Sequence, residues 1–188
     1  MEMFMYTRML FSTSVCLLLS SCSIDMSDKL TDYQGSDAAY IRVDNSGQPT
    51  ALRIQKIIPA GNCVKLDQVY GLTSSVAVAG IKSSYSKTVP GIAPVSERYA
   101  KRGYLEYAIK PNEEYKIWWK FFEQSQYGID LSRTWSSIFK AEKGHTYEIG
   151  TVGNEIDITD ITTGQKTVSR DINECPYTIS MMGKKVYE

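Results

Sequence analysis

A chain of 188 residues, less any leader, holds material for one domain, since domains commonly run to roughly 100–150 residues. Its 21 basic and 21 acidic residues cancel, which argues against the positive field of a nucleic-acid binder and the acidic bias of a disordered tail. Hydrophobic residues make up 43%, enough for one core, and 13 tyrosines favour strands, whose pleated, half-buried surfaces suit aromatic side chains.

The chain opens on a targeting pattern. Arg8 supplies a positive charge, and Met9-Leu10-Phe11 through Leu17-Leu18-Leu19 an apolar run. That is the layout of a secretory leader, and it is shorter than the roughly 20 apolar residues of a spanning helix. Glu2 is out of keeping with a leader, and translation is expected to begin near Met5. The run ends in Leu19-Ser20-Ser21-Cys22, which resembles the lipobox of bacterial lipoproteins: an aliphatic residue, two small residues, then cysteine. The resemblance implies that residues 1–21 are a signal peptide, removed together with Cys16. It also implies a thioether diacylglycerol on Cys22 and a further acyl chain such as palmitate on the new amino terminus. Each buried methylene contributes about 0.8 kcal/mol, and stable anchoring needs more than one chain. Lipid on Cys22 would therefore hold the protein on its membrane. In lipoproteins of Gram-negative bacteria an aspartate after the cysteine is the inner-membrane retention signal. Ser23 stands there instead, which implies the outer membrane, with the domain facing the periplasm.

Residues 22–37 carry Asp25, Asp28, Asp32 and Asp37 against Lys29, without periodicity, and are expected to be a flexible tether. The domain then spans 38–188. Ala38 to Val43 alternates as a strand, with Ala39, Ile41 and Val43 on one face and Tyr40 and Arg42 on the other. The turn cluster Asp44 to Pro49 leads to a second strand, Ala51 to Ile58. Pro59-Ala60-Gly61-Asn62 ends it, and Cys63 to Val69 alternates again. Val76 to Ile81 reads as a strand of small residues, and Ser83 to Val95 as a long loop. Ser96 to Arg102 reads as one or two helical turns, capped by Ser96 and stopped by Gly103. Lys82, Lys87, Arg98, Lys101 and Arg102 make this region basic. It is read as a solvated loop, the alternative being a patch that meets anionic head groups or a partner.

The clearest local signal is a hairpin between Gly103 to Lys110 and Glu114 to Glu123, turning at Pro111-Asn112-Glu113. Leu105, Tyr107 and Ile109 form one face of its first strand; Tyr115, Ile117, Trp119 and Phe121 form one face of its second. On the opposite face, Trp118 and Phe122, with Tyr127 beyond, are a candidate ligand surface if exposed, and core if the neighbouring loops cover them. Trp135 to Lys140, Thr146 to Val152 and Glu155 to Ile161 read as strands, and Tyr177 to Met181 as a last short one. About seven or more short strands with frequent turns and little helix predict an all-β fold, an antiparallel β-sandwich.

Two family resemblances agree with that class. Phe139-x-x-Glu142-x-Gly144-x-x-Tyr147-x-Ile149, after the turn at Pro111-Asn112, resembles small bacterial lipoproteins with a transthyretin-like sandwich. Asn45-x-Gly47-x-Pro49-x-x-x-Arg53-Ile54 is similar to the start of the lipoprotein of the type VI secretion membrane complex, whose later aromatic and arginine pattern is not evident here.

With Cys22 taken by lipid, Cys63 and Cys175 remain, and in an oxidising compartment they are expected to form a disulfide. The alternatives are two buried free thiols or a metal pair. For the latter only His145 could add a nitrogen, and no Cys-x-x-Cys spacing exists. With one histidine, no Gly-x-Ser-x-Gly elbow, no phosphate-cradling loop and no dinucleotide fingerprint, an enzyme is not expected. Neither a cofactor nor a metal is expected. The sequence-level reading is a cell-envelope lipoprotein with a non-catalytic sandwich for protein binding or envelope structure, attached to the membrane through Cys22 and partnered by an envelope protein. The alternatives are a component of a type VI-like complex and a carbohydrate- or lipid-binding module.

Overall fold

Alternating apolar and polar residues build fifteen strands and no helix among the described residues. The computed structural model describes residues 28–45, 52–73, 77–78, 81–82, 86–101, 103–124, 130–153, 155–167, 170–181 and 184–188, with the backbone alone for 77–78, 81–82, 120–124 and 130–133. In chain order the strands are β1 (Asp28–Lys29), β2 (Ala39–Asp44), β3 (Arg53–Ala60), β4 (Cys63–Leu66), β5 (Tyr70–Gly71), β6 (Ala77–Val78) and β7 (Ile81–Lys82). They continue with β8 (Tyr104–Ile109), β9 (Glu114–Gln124), β10 (Asp130–Lys140), β11 (Thr146–Val152), β12 (Glu155–Asp160), β13 (Gln165–Lys166), β14 (Tyr177–Ile179) and β15 (Lys185–Tyr187).

Two sheets form a β-sandwich. The first runs β1-β5-β3-β9-β10, with β4 also paired to β3; the second runs β13-β12-β11-β2-β8. Most pairings are antiparallel, as expected, but β1–β5 and β2–β11 are parallel, so both sheets are mixed. Between the sheets lie Ile41, Val43, Leu105, Tyr107, Ile109, Ile149 and Ile158 from the second, against Ile54, Tyr115, Ile117, Trp119 and Phe139 from the first. Aromatic rings tie the layers, with Phe139 4.8 Å from Tyr147 and 5.9 Å from Tyr115. Residues 76–81, read as one strand, instead contribute two short ones, paired Ala77↔Lys82 and Val78↔Ile81. Of the turns expected over 96–102, one is seen, where the Tyr99 and Ala100 amides both donate to the Ser96 carbonyl.

The expected hairpin over 103–123 does not form. β8 pairs with β2, while β9 pairs with β3 and β10. Pro111-Asn112-Glu113 is therefore a corner between the sheets. Asn112 adopts φ 60° there, a conformation asparagine tolerates better than most residues. Its amide donates to the Ala141 carbonyl at 2.7 Å, and the Ala141 amide to the Glu113 carbonyl at 2.9 Å. Leu105, Tyr107, Ile109, Tyr115, Ile117 and Trp119 do face inward. Two apolar faces can meet side by side in one sheet or opposed across a core, and alternation is the same in both cases. The partner that lies beside β9 along its whole length is β10, in register from Glu114↔Lys140 to Gln124↔Asp130.

The flexible tether expected over 22–37 is, from Asp28 onward, laid against the sandwich. β1 adds to β5, Leu30 packs on the core, and the Tyr33 amide donates to the Ala108 carbonyl at 2.9 Å. The Asp32 carboxylate accepts the Ala108 amide at 3.1 Å and pairs with the Lys87 ammonium at 2.7 Å. These polar residues satisfy the outer edge of β8, a row of backbone groups that would otherwise invite another strand. Residues 1–27, which hold the expected signal peptide and Cys22, lie outside the described residues.

Candidate functional site

Each outer face of the sandwich carries a cover, and the two are held by different chemistry. Over the second sheet lies the segment 86–101. Arg42 on β2, Glu106 on β8 and Glu148 on β11 are register neighbours on that face, and they are only 1%, 2% and 4% exposed. The Arg42 guanidinium stands 2.8 Å from Glu106 and 2.9 Å from Glu148, and donates to the carbonyls of Ala93 at 2.6 Å and Pro94 at 3.3 Å. Glu106 accepts the Val89 amide at 2.9 Å, and Glu148 accepts the Ser96 amide and hydroxyl. Every member of the triad thus also grips the backbone or the capping serine of the segment. At its far end Tyr99 is buried over β11, where a Cβ on Gly150 would lie 2.6 Å from the phenol oxygen. Arg98 pairs with Asp157 on β12, and Lys166 approaches the same carboxylate at 3.1 Å.

Over the first sheet lies the C-terminal tail. Cys63 and Cys175 are joined by a disulfide, across a sequence separation of 112. The tail runs beside β4, with the Val64 amide donating to the Asn173 carbonyl and the Cys175 amide to the Val64 carbonyl, both at 2.9 Å. Ile57, Leu66 and Ile138 form a small second core beneath it, with Val64, Ile172 and Tyr187 packed against them. The Tyr187 hydroxyl accepts the Leu66 amide at 2.8 Å and donates to Glu174 at 2.6 Å. Burial beneath this cover lowers the Lys116 ammonium below its ordinary value.

Of the candidate ligand surface, Trp118 is half-buried on the outer face of β9, opposite Arg53 in register, with the Arg53 guanidinium 4.9 Å from its ring centroid. The Phe122 and Tyr127 side chains lie outside the described residues, so no joint surface with Trp118 is described. A cleft of about 240 Å³ opens instead between the sheets beside the N-terminal segment, with Leu30, Ile54, Tyr70, Ile109 and Tyr115 among its lining. At its rim Lys56 and Lys110 lie 2.7 and 3.0 Å from Glu113. Burial alone would raise the Glu113 carboxyl, but these two ammonium groups more than reverse it and hold it low.

His145 has its Nδ1 2.8 Å from Asp160 and its Nε2 3.7 Å from Glu142. Both ring nitrogens thus face carboxylates, an arrangement that clamps the 141–145 turn to β12. Among the described residues no group of three or more His, Cys, Asp or Glu is placed to hold a metal ion.

No protein-family model, curated protein or solved structure matches this chain. Sequence reasoning missed the Glu106–Arg42–Glu148 triad. The signal available was charge at off-core positions of three separate strands, and only the sheet order makes them neighbours.

Proposed function

We propose that this chain is a lipid-anchored protein of the cell envelope, held on the outer membrane through Cys22, whose non-catalytic β-sandwich presents a surface to an envelope protein. The observation that carries the reading is the Leu19-Ser20-Ser21-Cys22 motif behind an apolar leader. The Cys63–Cys175 disulfide supports it, because such bonds persist in exported compartments. Two latched covers on a small sandwich also suit a rigid binding body better than an enzyme that must open and close. Metabolic labelling with radioactive palmitate, followed by membrane fractionation, tests this. Label in the mature polypeptide, lost in Cys22→Ala, with the protein in the outer-membrane fraction, is the expected result. An unlabelled protein recovered free in the soluble fraction would overturn it.

A further inference from the structure

The cleft of about 240 Å³ between the sheets follows from the way β3 runs out of the core. Ile54 on its inner face is buried, Lys56 is half-buried, and Ile58, next on that face by alternation, is 38% exposed. The docked N-terminal segment closes one side and contributes Leu30, Thr31 and Tyr33 to the lining. The deepest part of the lining is Ile54, Ile109 and Tyr115, all buried. Two of its phenols are already engaged, Tyr33 donating to Asp37 at 3.1 Å and Tyr115 to the Lys110 carbonyl at 3.0 Å. An apolar occupant would strand neither hydroxyl, and the lining is held in place before anything enters.

Charge and size narrow what that occupant is. The charged side chains on the lining and its rim are Lys56, Lys110, Asp67 and Glu113, two of each sign, and both ammonium groups are paired with Glu113. A net charge on the occupant finds no complement there, and stripping its water would cost more than the cleft returns. Sites for free small molecules commonly run to roughly 300–1,000 Å³ and enclose most of the ligand. This cleft is smaller and open to solvent. It suits a single ring carried by something larger that covers the mouth. Ile58, beyond Lys56 on the same face, continues the apolar surface to where the carrier would lie.

We propose that the cleft is the anchor pocket of a protein interface, taking one uncharged aromatic side chain (phenylalanine, tyrosine or tryptophan) from the partner. The proposal rests on the reading of the sandwich as a surface for an envelope protein, and it says where on that surface the partner is held. A large ring in a pocket, ringed by groups that keep water out, carries much of the affinity of such interfaces. Because Leu30, Thr31 and Tyr33 form part of the lining, the pocket is complete only while the N-terminal segment is docked. Asp32 secures that docking through the Ala108 amide and Lys87.

The test uses the full-length protein purified from membranes in detergent, disulfide intact, with its isoleucine methyl groups labelled for NMR. It is titrated with N-acetyl-phenylalaninamide and with the capped amides of aspartate and lysine. The expected result is saturable shifts at Ile54 and Ile109 with the phenylalanine probe, and binding roughly tenfold weaker for either charged probe. Ile179, exposed outside the cleft, should not move. Thr31→Trp, at an exposed position on the lining, fills the cleft and should abolish both shifts, while Ile41 and Ile149 in the core keep their wild-type signals. No saturable shift at Ile54 and Ile109 in the wild type overturns the proposal, and so does a charged probe that binds as tightly. Saturation by free p-cresol at micromolar concentration also overturns it, since that marks a self-sufficient small-molecule site. Palmitate labelling of the same protein separates the two levels. A lipidated protein that does not take the probe defeats the pocket alone, and an unlipidated one that takes it keeps the pocket and loses the anchor.

Discussion

Replacing Arg42 by methionine keeps much of the side-chain volume and removes the cation that stands between two carboxylates that are 2% and 4% exposed. Breaking a buried ion pair from one side costs about 3–5 kcal/mol, because the remaining charge is left uncompensated in a poorly solvated place. Here two carboxylates are stranded, and the Ala93 and Pro94 carbonyls lose their donor as well, so the upper part of that range is expected. In a domain of this size a change of 1 kcal/mol moves the Tm by roughly 2–4 °C, so a loss of about 4–5 kcal/mol gives a fall of about 8–20 °C. Urea unfolding followed by tryptophan fluorescence, without reductant, measures the loss, and limited proteolysis should find new cleavage within 86–101. Adding Glu106→Gln and Glu148→Gln to Arg42→Met removes the stranded charges and should restore a large part of the stability. Arg42→Met within about 1 kcal/mol of wild type, or a triple variant no better than the single one, would refute the reasoning.

Gly150→Ala should cost about 1–3 kcal/mol, since its Cβ would lie 2.6 Å from the Tyr99 phenol oxygen. In a Tyr99→Phe background, where that oxygen is gone, the cost should fall markedly, and a double-mutant cycle by urea unfolding reads the coupling. Replacing Cys63 and Cys175 together by alanine should lower stability by about 2–4 kcal/mol, the chain-entropy limit for so long a loop being near 4.7. Hydrogen exchange should then speed up in the tail, while core strands such as β9 and β11 change less. Stability should also fall in acid. At Asp157 and Asp160 burial alone would raise each carboxyl, but Arg98 and Lys166 at one, and His145 and the Thr162 amide at the other, more than reverse it. Both pKa values therefore lie below the ordinary 3.8. A carboxyl lowered on folding contributes fully above its unfolded value and loses that contribution as pH falls through its folded value. Unfolding free energy should therefore hold above about pH 5 and drop below about pH 4, with a shallower drop in Asp157→Asn and Asp160→Asn.

Strand positions and inward faces were legible because period-two alternation reports burial on one side directly. Ile41, Val43, Leu105, Tyr107, Ile117 and Ile149 all follow it into the core. What alternation does not carry is which strand lies beside which. The corner at Pro111 therefore has the pattern of a hairpin, and the parallel β2–β11 pairing, which joins Ile41 to Tyr147, leaves no local signal. Arg42 illustrates the second blind spot. Its off-core position in the strand predicts solvent, yet a distant segment covers it, and nothing local records that cover. The same holds for Asp32, whose polarity argued for a free tether although it caps the edge of β8. The cysteine pair was legible by elimination in an oxidising setting. The exposure of Ile179 and Met181 is not legible, because it is a property of the packed tail and leaves no pattern in the sequence.

Most direct is the mass of the amino-terminal peptide of the mature protein, taken from membranes without reduction. It should begin at Cys22 and carry a diacylglyceryl group with a further acyl chain. A peptide that starts elsewhere, or an unmodified thiol at that position, would contradict attachment by lipid.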